Sequence, residues 1–400
     1  MTDDLDRAEE ADPVTDGGST VTETERTSAG GSGLAGLRER DDFVVIATAA
    51  ALVVFPFLLV DVLGVVGDLI GMSIGGYAGL PSLVLIYGII VIGFNLLLGY
   101  TGLLSFGHAA FFGSAAYSAA LFSQIVPSPI LMVIVGSLVA TLLAWPIGFV
   151  SIRRSGVYFA VLTLTFGQAL YFYALGPGAW LTNGDNGFSD VAAHGLFLGA
   201  LPLDAPLLPV FDSYTVMYAF TAVMMLIAVW VGNRIINSPY GLIFEALGEN
   251  EQRVEFVGLN VFRYKLMAFV ISAVFAGVGG AMFLIHEQYI HPTTGLYWIQ
   301  SGDFVIMTVL GGTGSLIGPV FGAFVFEYVA NVISGVNPPV IGPIGSLWRF
   351  VLGAVFVFIV WVFPRGIYGA LSDLGAWLLG RSGGGDDGSD PAATDGGESE

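Results

Sequence analysis

The sequence predicts an all-α membrane fold: a polytopic bundle of about ten transmembrane helices with both termini on the cytoplasmic side. Of the 400 residues, 55% are hydrophobic and only 11% are charged, whereas a soluble domain carries about 25% charged residues to keep its surface hydrated. At least six windows of about 18 residues contain almost no charge, which is the length that a helix needs to cross a bilayer. Most of the surface is therefore expected to face lipid.

Hydropathy predicts ten candidate spans along the chain. The segment 299–312 is the shortest of them and is also compatible with a re-entrant loop, which would change the orientation of everything after it. The predicted spans are residues 43–63, 82–100, 104–125, 130–152, 157–175, 214–235, 264–285, 299–312, 315–335 and 345–363.

The distribution of basic residues orients these spans. Cytoplasmic loops carry an excess of Lys and Arg, and with the N-terminus inside only Arg349 falls on the external side. The segment 176–213 has four aspartates and no Lys or Arg, as expected of an external loop. The residues predicted to be cytoplasmic are Arg38, Arg40, Arg153, Arg154, Arg234, Arg253, Arg263, Lys265, Arg365 and Arg381.

The net charge of −19 is concentrated at the two ends of the chain. Residues 1–42 contain twelve acids and residues 382–400 contain six, so we expect disordered acidic cytoplasmic tails at 1–42 and 371–400 around a transmembrane domain at 43–370. The tails suit either a host with a salty cytoplasm or plain solvation. Neither interpretation indicates nucleic-acid binding.

Several classes of site are not predicted. The chain has no cysteine, so it can form neither a disulfide nor a thiolate site. Its only lysine, Lys265, follows a tyrosine, so the chain has no Gly-x-x-x-x-Gly-Lys nucleotide loop. The histidines lack metal-ligand spacing, and we predict no metal and no cofactor. They are His108, His194, His286 and His291.

The densest polar cluster within the apolar sequence is Gly99-Tyr-Thr-Gly-Leu-Leu-Ser-Phe-Gly-His-Ala-Ala-Phe-Phe-Gly113. Polar groups at membrane depth must be buried in protein or line a wet cavity, so Ser105 and His108 are expected to face the bundle interior. One interpretation sets this turn beside a permeation path, with half-helix N–H groups free to meet a carboxylate. In the other, His108 bonds a neighbouring helix and fixes packing.

Small residues form two further clusters, Ala276–Ala281 and the series Gly314, Gly318 and Gly322. Such spacing favours close helix packing, with a gating hinge as the alternative. Glu327 and Asn331 share a helical face and are expected to line a pore or hold a partner helix.

The segment 237–262 predicts two short helices on the cytoplasmic face. Ser238 is a good N-cap and Pro239 a good first residue, so the first helix would run to Leu247. After Gly248, the second would cover Glu249 to Val257 and end at Gly258. Such a pair suits docking into a groove of a soluble partner. A solvated connector is the alternative.

Taken in order, several stretches resemble the LivM-type permeases of branched-chain amino-acid ABC importers, over about residues 80–370. Each motif is modest alone, and their order and spacing carry the resemblance. The matching stretches are 99–111, 156–166, Leu181-Thr-Asn-Gly-Asp-Asn-Gly187, 238–258, 265–277 and Gly311-Gly-Thr-Gly-Ser-Leu-Ile-Gly-Pro319.

The resemblance implies a pore subunit rather than an enzyme. Its partners would be a second homologous permease, two cytoplasmic ABC ATPases that hydrolyse ATP, and an extracellular solute-binding protein. Branched-chain amino acids would move inward by alternating access. The family often has arginines near the positions of Leu242, Glu245 and Gly248, and this chain departs from that pattern, so the contacts of those arginines are not carried over. The coupling residues would be Glu245, Ala246, Glu249, Asn250 and Gly258, and the translocation residues Ser105, His108, Thr163, Asn183, Asp185 and Glu327.

Three alternatives remain open from the sequence. A urea or short-chain amide ABC permease is similar in sequence. An ion-coupled secondary transporter would normally carry more ionisable groups at the midplane than Glu327, His108 and Asp303. A membrane-embedded enzyme would need a nucleophile with a base, or a metal cluster, and neither is found in the sequence.

Overall fold

Helices make up nearly all regular structure in the computed structural model. It describes residues 44–62, 65, 77–192, 195–196, 201–208, 211–335, 348–363, 366–367 and 369. Of the two compact units of the chain, Met1–Ala47 is described only at its last four residues, and Thr48–Glu400 holds the helix bundle. The predicted tails, 1–42 and 371–400, and the predicted orientation of the termini lie outside the described residues.

Twelve helices of six or more residues occur in these described ranges. In chain order they are α1 (Val44–Val62), α2 (Leu80–Tyr100), α3 (His108–Ser123), α4 (Pro129–Ser151), α5 (Val157–Leu175), α6 (Val216–Ile236), α7 (Pro239–Glu249), α8 (Glu251–Phe256), α9 (Val261–Glu287), α10 (Trp298–Gly311), α11 (Gly318–Gly335) and α12 (Trp348–Val362).

Six of the twelve, α1, α2, α4, α5, α6 and α9, are long and apolar enough to cross a membrane. Their ends lie within three residues of the predicted spans. The helices α3, α10, α11 and α12 overlap the other four predicted spans without being among these six. The α-helical membrane bundle is therefore confirmed, and the number of ten crossings stays a prediction.

The helices α2 and α9 form the centre of the bundle. In their most apolar windows, 89% of the residues of α2 and 72% of those of α9 are buried, against 17% in α1 and 28% in α5. A helix that is apolar on every side is typical of such a central position. The exposed apolar faces of the outer helices are those that lipid covers.

Glycines on α9 allow three neighbours to approach its backbone. A Cβ on Gly280 would lie 2.1 Å from the carbonyl oxygen of Phe112 on α3, and one on Gly279 would lie 2.2 Å from Ile90 on α2. A Cβ on Gly277 would lie 2.7 Å from Ala140 on α4. Close packing, which the spacing of the cluster favours, is therefore what this part of α9 does.

Short strands follow α5 in the segment predicted to be an external loop. They are β1 (Leu201–Pro202), β2 (Pro206–Leu208) and β3 (Phe211–Thr215), and β2 pairs with β3 in antiparallel orientation. Sequence analysis did not predict this ribbon, because strands of two to five residues are too short to establish a period of two. Thr215 then caps α6 by accepting a hydrogen bond from the Tyr218 backbone N–H at 3.1 Å.

Replacing Gly280 by alanine should destabilise the bundle, because its Cβ would overlap the Phe112 carbonyl oxygen. Overpacking of this kind costs about 1–3 kcal/mol. The measurement is the thermal melting temperature of the purified protein in detergent, with Gly302→Ala as the control. Nothing lies within 4 Å of a Cβ on Gly302, so the control should melt at or slightly above the wild-type temperature. Equal melting of the two variants would contradict the packing described.

Candidate functional site

A helix break in the middle of the bundle forms the first part of the candidate site. The last turn of α2, Leu96–Tyr100, is a π-helix, residues 101–107 are mostly irregular, and α3 begins at His108. The His108 ring bonds Ser272, which lies eleven residues from the start of α9 and fifteen from its end. At 1.5 Å per residue, α3 therefore begins about 16 Å from one end of α9 and about 22 Å from the other.

The His108 side chain is fully buried, and both of its ring nitrogens are occupied. Nδ1 lies 3.0 Å from Ser105 Oγ, and Nε2 lies 2.8 Å from Ser272 Oγ. The ring packs edge-on against Phe94, Phe111 and Phe269 at centroid distances of 4.8, 5.5 and 5.8 Å. These are the contacts of a packing residue that joins α3 to α9. A role of Ser105 and His108 in permeation stays a prediction.

Side chains from two further helices satisfy the backbone of the break. Thr163 Oγ1 on α5 accepts a hydrogen bond from the Phe106 N–H at 3.2 Å, and Ser301 Oγ on α10 accepts one from the Ala109 N–H at 2.8 Å. Both hydroxyl groups are fully buried. Lipid offers no partner for a free N–H, so irregular backbone persists at this depth only with such protein partners.

Sequence analysis named Thr163 but missed Ser272 and Ser301. Ser272 is the only serine or threonine on α9, and a lone hydroxyl in an apolar span is a usable signal. The sequence could not assign its partner, however, because His108 lies 164 positions away.

The motif Gly311-Gly-Thr lies against the same end of α2. Asn95 Nδ2 donates a hydrogen bond to the Ser315 carbonyl oxygen at 3.0 Å. A Cβ on Gly99 would lie only 2.6 Å from the Thr313 carbonyl oxygen. Two of the stretches on which the resemblance rests therefore meet in space.

The predicted pair of short helices is present as α7 and α8. Ser238 Oγ accepts a hydrogen bond from the Tyr240 N–H at 3.2 Å, as expected of the N-cap. The break between the helices lies at Asn250 rather than at Gly248, which is a correction. Asn250 Oδ1 caps α8 through the N–H groups of Gln252 and Arg253, at 3.0 and 3.2 Å, and this cap decides where the second helix begins.

Gly248 lies within α7 and packs against the end of α2. A Cβ there would lie 2.5 Å from the Tyr100 carbonyl oxygen. One face of α7 is buried through Gly241, Phe244 and Leu247. The segment 238–258, which we call the α7–α8 loop, therefore lies directly on the π-helical turn that precedes the break.

The outer face of the α7–α8 loop is exposed. All five predicted coupling residues lie on it: Glu245, Ala246, Glu249, Asn250 and Gly258. Three apolar side chains accompany them, with exposed fractions of 88% for Phe256, 79% for Val257 and 69% for Leu242. Gly258 has a φ of +87°, which strongly favours glycine there. Exposed apolar side chains on a pair of short helices suit contact with a groove of another protein.

The other predicted translocation residues, Asn183, Asp185 and Glu327, lie away from the helix break. Asn183 and Asp185 follow the opposite end of α5 from the break, where Asn183 Nδ2 donates to the Gly187 carbonyl oxygen at 2.8 Å. His291 Nε2 lies 2.9 Å from the Asp185 carbonyl oxygen. Glu327 is partly buried near the middle of α11. The structure thus joins Ser105, His108 and Thr163 at the break and does not join the other three to them.

A double-mutant cycle tests the link between His108 and Ser272. His108→Leu and Ser272→Ala should each lower stability by about 1 kcal/mol, because each leaves a buried polar partner without its hydrogen bond. The two effects should be coupled by at least about 0.5 kcal/mol. Both the stability losses and the coupling energy are measured by unfolding the protein, purified in a mild detergent, with a denaturing detergent.

The control cycle pairs His108 with Ser118, whose hydroxyl donates to the Ala115 carbonyl oxygen of its own helix at 3.0 Å. Its effects should add without coupling. A coupling energy for Ser272 no larger than that for Ser118 would contradict the described contact.

One protein family and several known permeases match this chain. The family described as branched-chain amino acid transport system / permease component matches residues 76–360. The LivM permease protein of the high-affinity branched-chain amino acid transport system of Escherichia coli (strain K12) is 27% identical over 281 residues, which cover 66% of this chain and 64% of the relative. Its counterpart in Salmonella typhimurium is 28% identical over 262 residues, or 62% and 61%.

A further relative is named for the import of a different solute. The galactose/methyl galactoside import permease protein MglC of Escherichia coli (strain K12) is 24% identical over 254 residues, which cover 60% of this chain and 68% of the relative. The chain spans less than two thirds of the length of the two LivM relatives. No solved structure matches.

Proposed function

Because the chain belongs to the branched-chain amino acid transport system / permease component family, we propose that it is the pore subunit of an ATP-driven importer for branched-chain amino acids. It is a multi-pass protein of the plasma membrane, with six helices long and apolar enough to span. Its partners in this proposal are a second homologous permease, two cytoplasmic ATPase subunits and an extracellular solute-binding protein. The chain itself contains no Gly-x-x-x-x-Gly-Lys loop, so ATP would be hydrolysed by the separate subunits.

The observation that carries the proposal is the position of the α7–α8 loop. Its outer face exposes Phe256, Val257 and Leu242, which suits a groove on a soluble partner. Its inner face lies on Tyr100 through Gly248. A partner that moved the loop would therefore push on the end of α2, at the point where the helix is interrupted.

In the proposed mechanism, alternating access has three steps. Closure of the ATPase pair moves α7 and α8 as a unit. The salt bridge between Lys265 and Glu251 transmits the movement from α8 to α9, and Gly248 transmits it to α2. These two helices form the centre of the bundle, so their tilt changes which side of the pore is open. No step needs bond chemistry from this chain.

The substrate proposed is a branched-chain amino acid, supported by the two LivM relatives. Such a solute is small, zwitterionic and apolar in its side chain, and a mostly apolar path with a few polar groups suits it. MglC, named for galactose import, is also similar, so the substrate needs a direct test. A urea or short-chain amide permease and an ion-coupled transporter are the competing functions.

Glu245→Lys and Gly258→Pro test the docking loop. The first reverses a charge on the exposed face of α7, and the second forces a φ of about −65° where the chain needs +87°. Each should weaken binding of the ATPase subunits about tenfold without changing the melting temperature by more than a few degrees. Co-purification with the ATPases measures binding. The control is Asp190→Lys, the same charge change in the external segment, and undiminished co-purification of both loop variants would count against the proposal.

Uptake into liposomes tests the substrate. The chain is reconstituted with its second permease, ATPases and binding protein, and ATP is enclosed. We expect uptake of leucine, isoleucine and valine at rates at least tenfold above those of galactose and urea. Uptake driven by a sodium or proton gradient without ATP would favour a secondary transporter, and preferential uptake of galactose or urea would replace the proposed substrate.

A further inference from the structure

A charged cleft of about 630 Å³ opens where α4 ends and α9 begins, beside the α7–α8 loop. One wall is the turn 152–155 between α4 and α5, and the other is the segment 258–262 with Lys265. Glu251 and Glu255 complete the lining. The Lys265 ammonium is committed to a salt bridge with Glu251. The cations that remain are Arg153 and Arg154.

Neither arginine has a carboxylate partner within the described ranges of the chain. The Arg153 guanidinium lies 4.5 Å from the centroid of the Phe149 ring and 5.9 Å from that of Phe262. These rings hold its position by cation–π contact and leave its N–H groups to another acceptor. A fixed guanidinium fork beside a second arginine matches the geometry of a phosphate group, which it can bind through two parallel hydrogen bonds.

The surroundings of the cleft are those of a lipid headgroup. The last two turns of α4 expose Trp145, Phe149 and Val150, and the first turn of α5 exposes Val157 and Tyr158. Both helices are long and apolar enough to span the membrane, so these side chains contact acyl chains close to the interface, where aromatic residues concentrate. The arginines follow at headgroup depth. Basic pockets between transmembrane helices at this depth suit anionic lipid headgroups.

We propose that this cleft binds the phosphate of an anionic phospholipid, with the two arginines as its ligands and the acyl chains along the exposed face of α4. The acidic segments 1–42 and 382–400 could also neutralise the arginines, but both are polar and cannot cover the adjoining apolar surface. A lipid does both. Bound there, it would bridge the α4–α5 turn to the segment that leads from the α7–α8 loop into α9. The inference does not depend on the transported substrate.

Native mass spectrometry of the full chain in detergent tests the site. The probes are dihexanoyl phosphatidylglycerol, dihexanoyl phosphatidylcholine and inorganic phosphate. We expect phosphatidylglycerol to bind at least about tenfold more tightly than phosphatidylcholine, because both carry a phosphate but the choline cation of phosphatidylcholine is repelled by the two arginines. The double variant Arg153→Gln/Arg154→Gln should lose this preference. Arg234→Gln, which removes an exposed cation outside the cleft, should retain it.

Several results would overturn the proposal. Equal affinity for the two lipids would mean that the cleft does not select an anionic headgroup. Equal loss in the Arg234 control would mean that Arg153 and Arg154 have no specific part in binding. Complete displacement of phosphatidylglycerol by an equal concentration of inorganic phosphate would mean a free-phosphate site. The double variant must melt within a few degrees of the wild type. If it does not, the preference is measured in Arg154→Gln alone, which leaves the Phe149 contact of Arg153 intact.

Cross-linking identifies the occupant in the membrane. The chain has no cysteine, so Ser155→Cys gives a single thiol in the cleft for a photoreactive benzophenone label. We expect the main adduct to be an anionic phospholipid. An adduct with a peptide from 1–42 or 382–400, or with an ATPase subunit, would instead assign the cleft to that protein segment and overturn the lipid proposal.

Discussion

The absence of water at membrane depth is the constraint on which the interior of this protein depends. The backbone between α2 and α3 is irregular, and lipid cannot bond its free N–H groups. Thr163 and Ser301 accept hydrogen bonds from the N–H groups of Phe106 and Ala109. His108 joins Ser105 to Ser272. One interruption therefore ties α3 to α5, α9 and α10, and none of those helices can move far from it without leaving a buried group unpaired.

These hydrogen bonds need closely packed helices, and the glycines of α9 provide the required proximity. Gly280 brings the backbone of α9 against Phe112 on α3, two turns beyond the Ser272–His108 contact. With a larger residue at this position the helices would separate, and a serine hydroxyl, which reaches only a short distance, would lose the imidazole. Along the contact between α3 and α9, the glycines thus allow the helices to approach, and the short polar side chains form hydrogen bonds between them.

The same end of α2 connects the interior to the loop outside it. Gly248 on α7 touches Tyr100, and Asn95 binds the segment that follows α10. Lys265 joins α9 to Glu251 at the start of α8. The α7–α8 loop therefore has contacts to both central helices, while its outer face exposes Phe256 and Val257. A surface that is rigidly connected on one side and unpartnered within the described chain on the other is well suited to receive force from another protein.

The sequence by itself determined the six long apolar helices, because hydropathy over about 18 residues is a local property. It also determined the start of α7, where Ser238 and Pro239 act within one turn. It missed the boundary at Asn250, because a glycine at 248 was the expected break, although the Asn250 side chain caps α8 locally. Only the tertiary structure decided where the polar groups of the break find partners: His108 could be recognised as interior, but Ser272 and Ser301 lie on other helices, and long-range packing brings them within hydrogen-bonding distance.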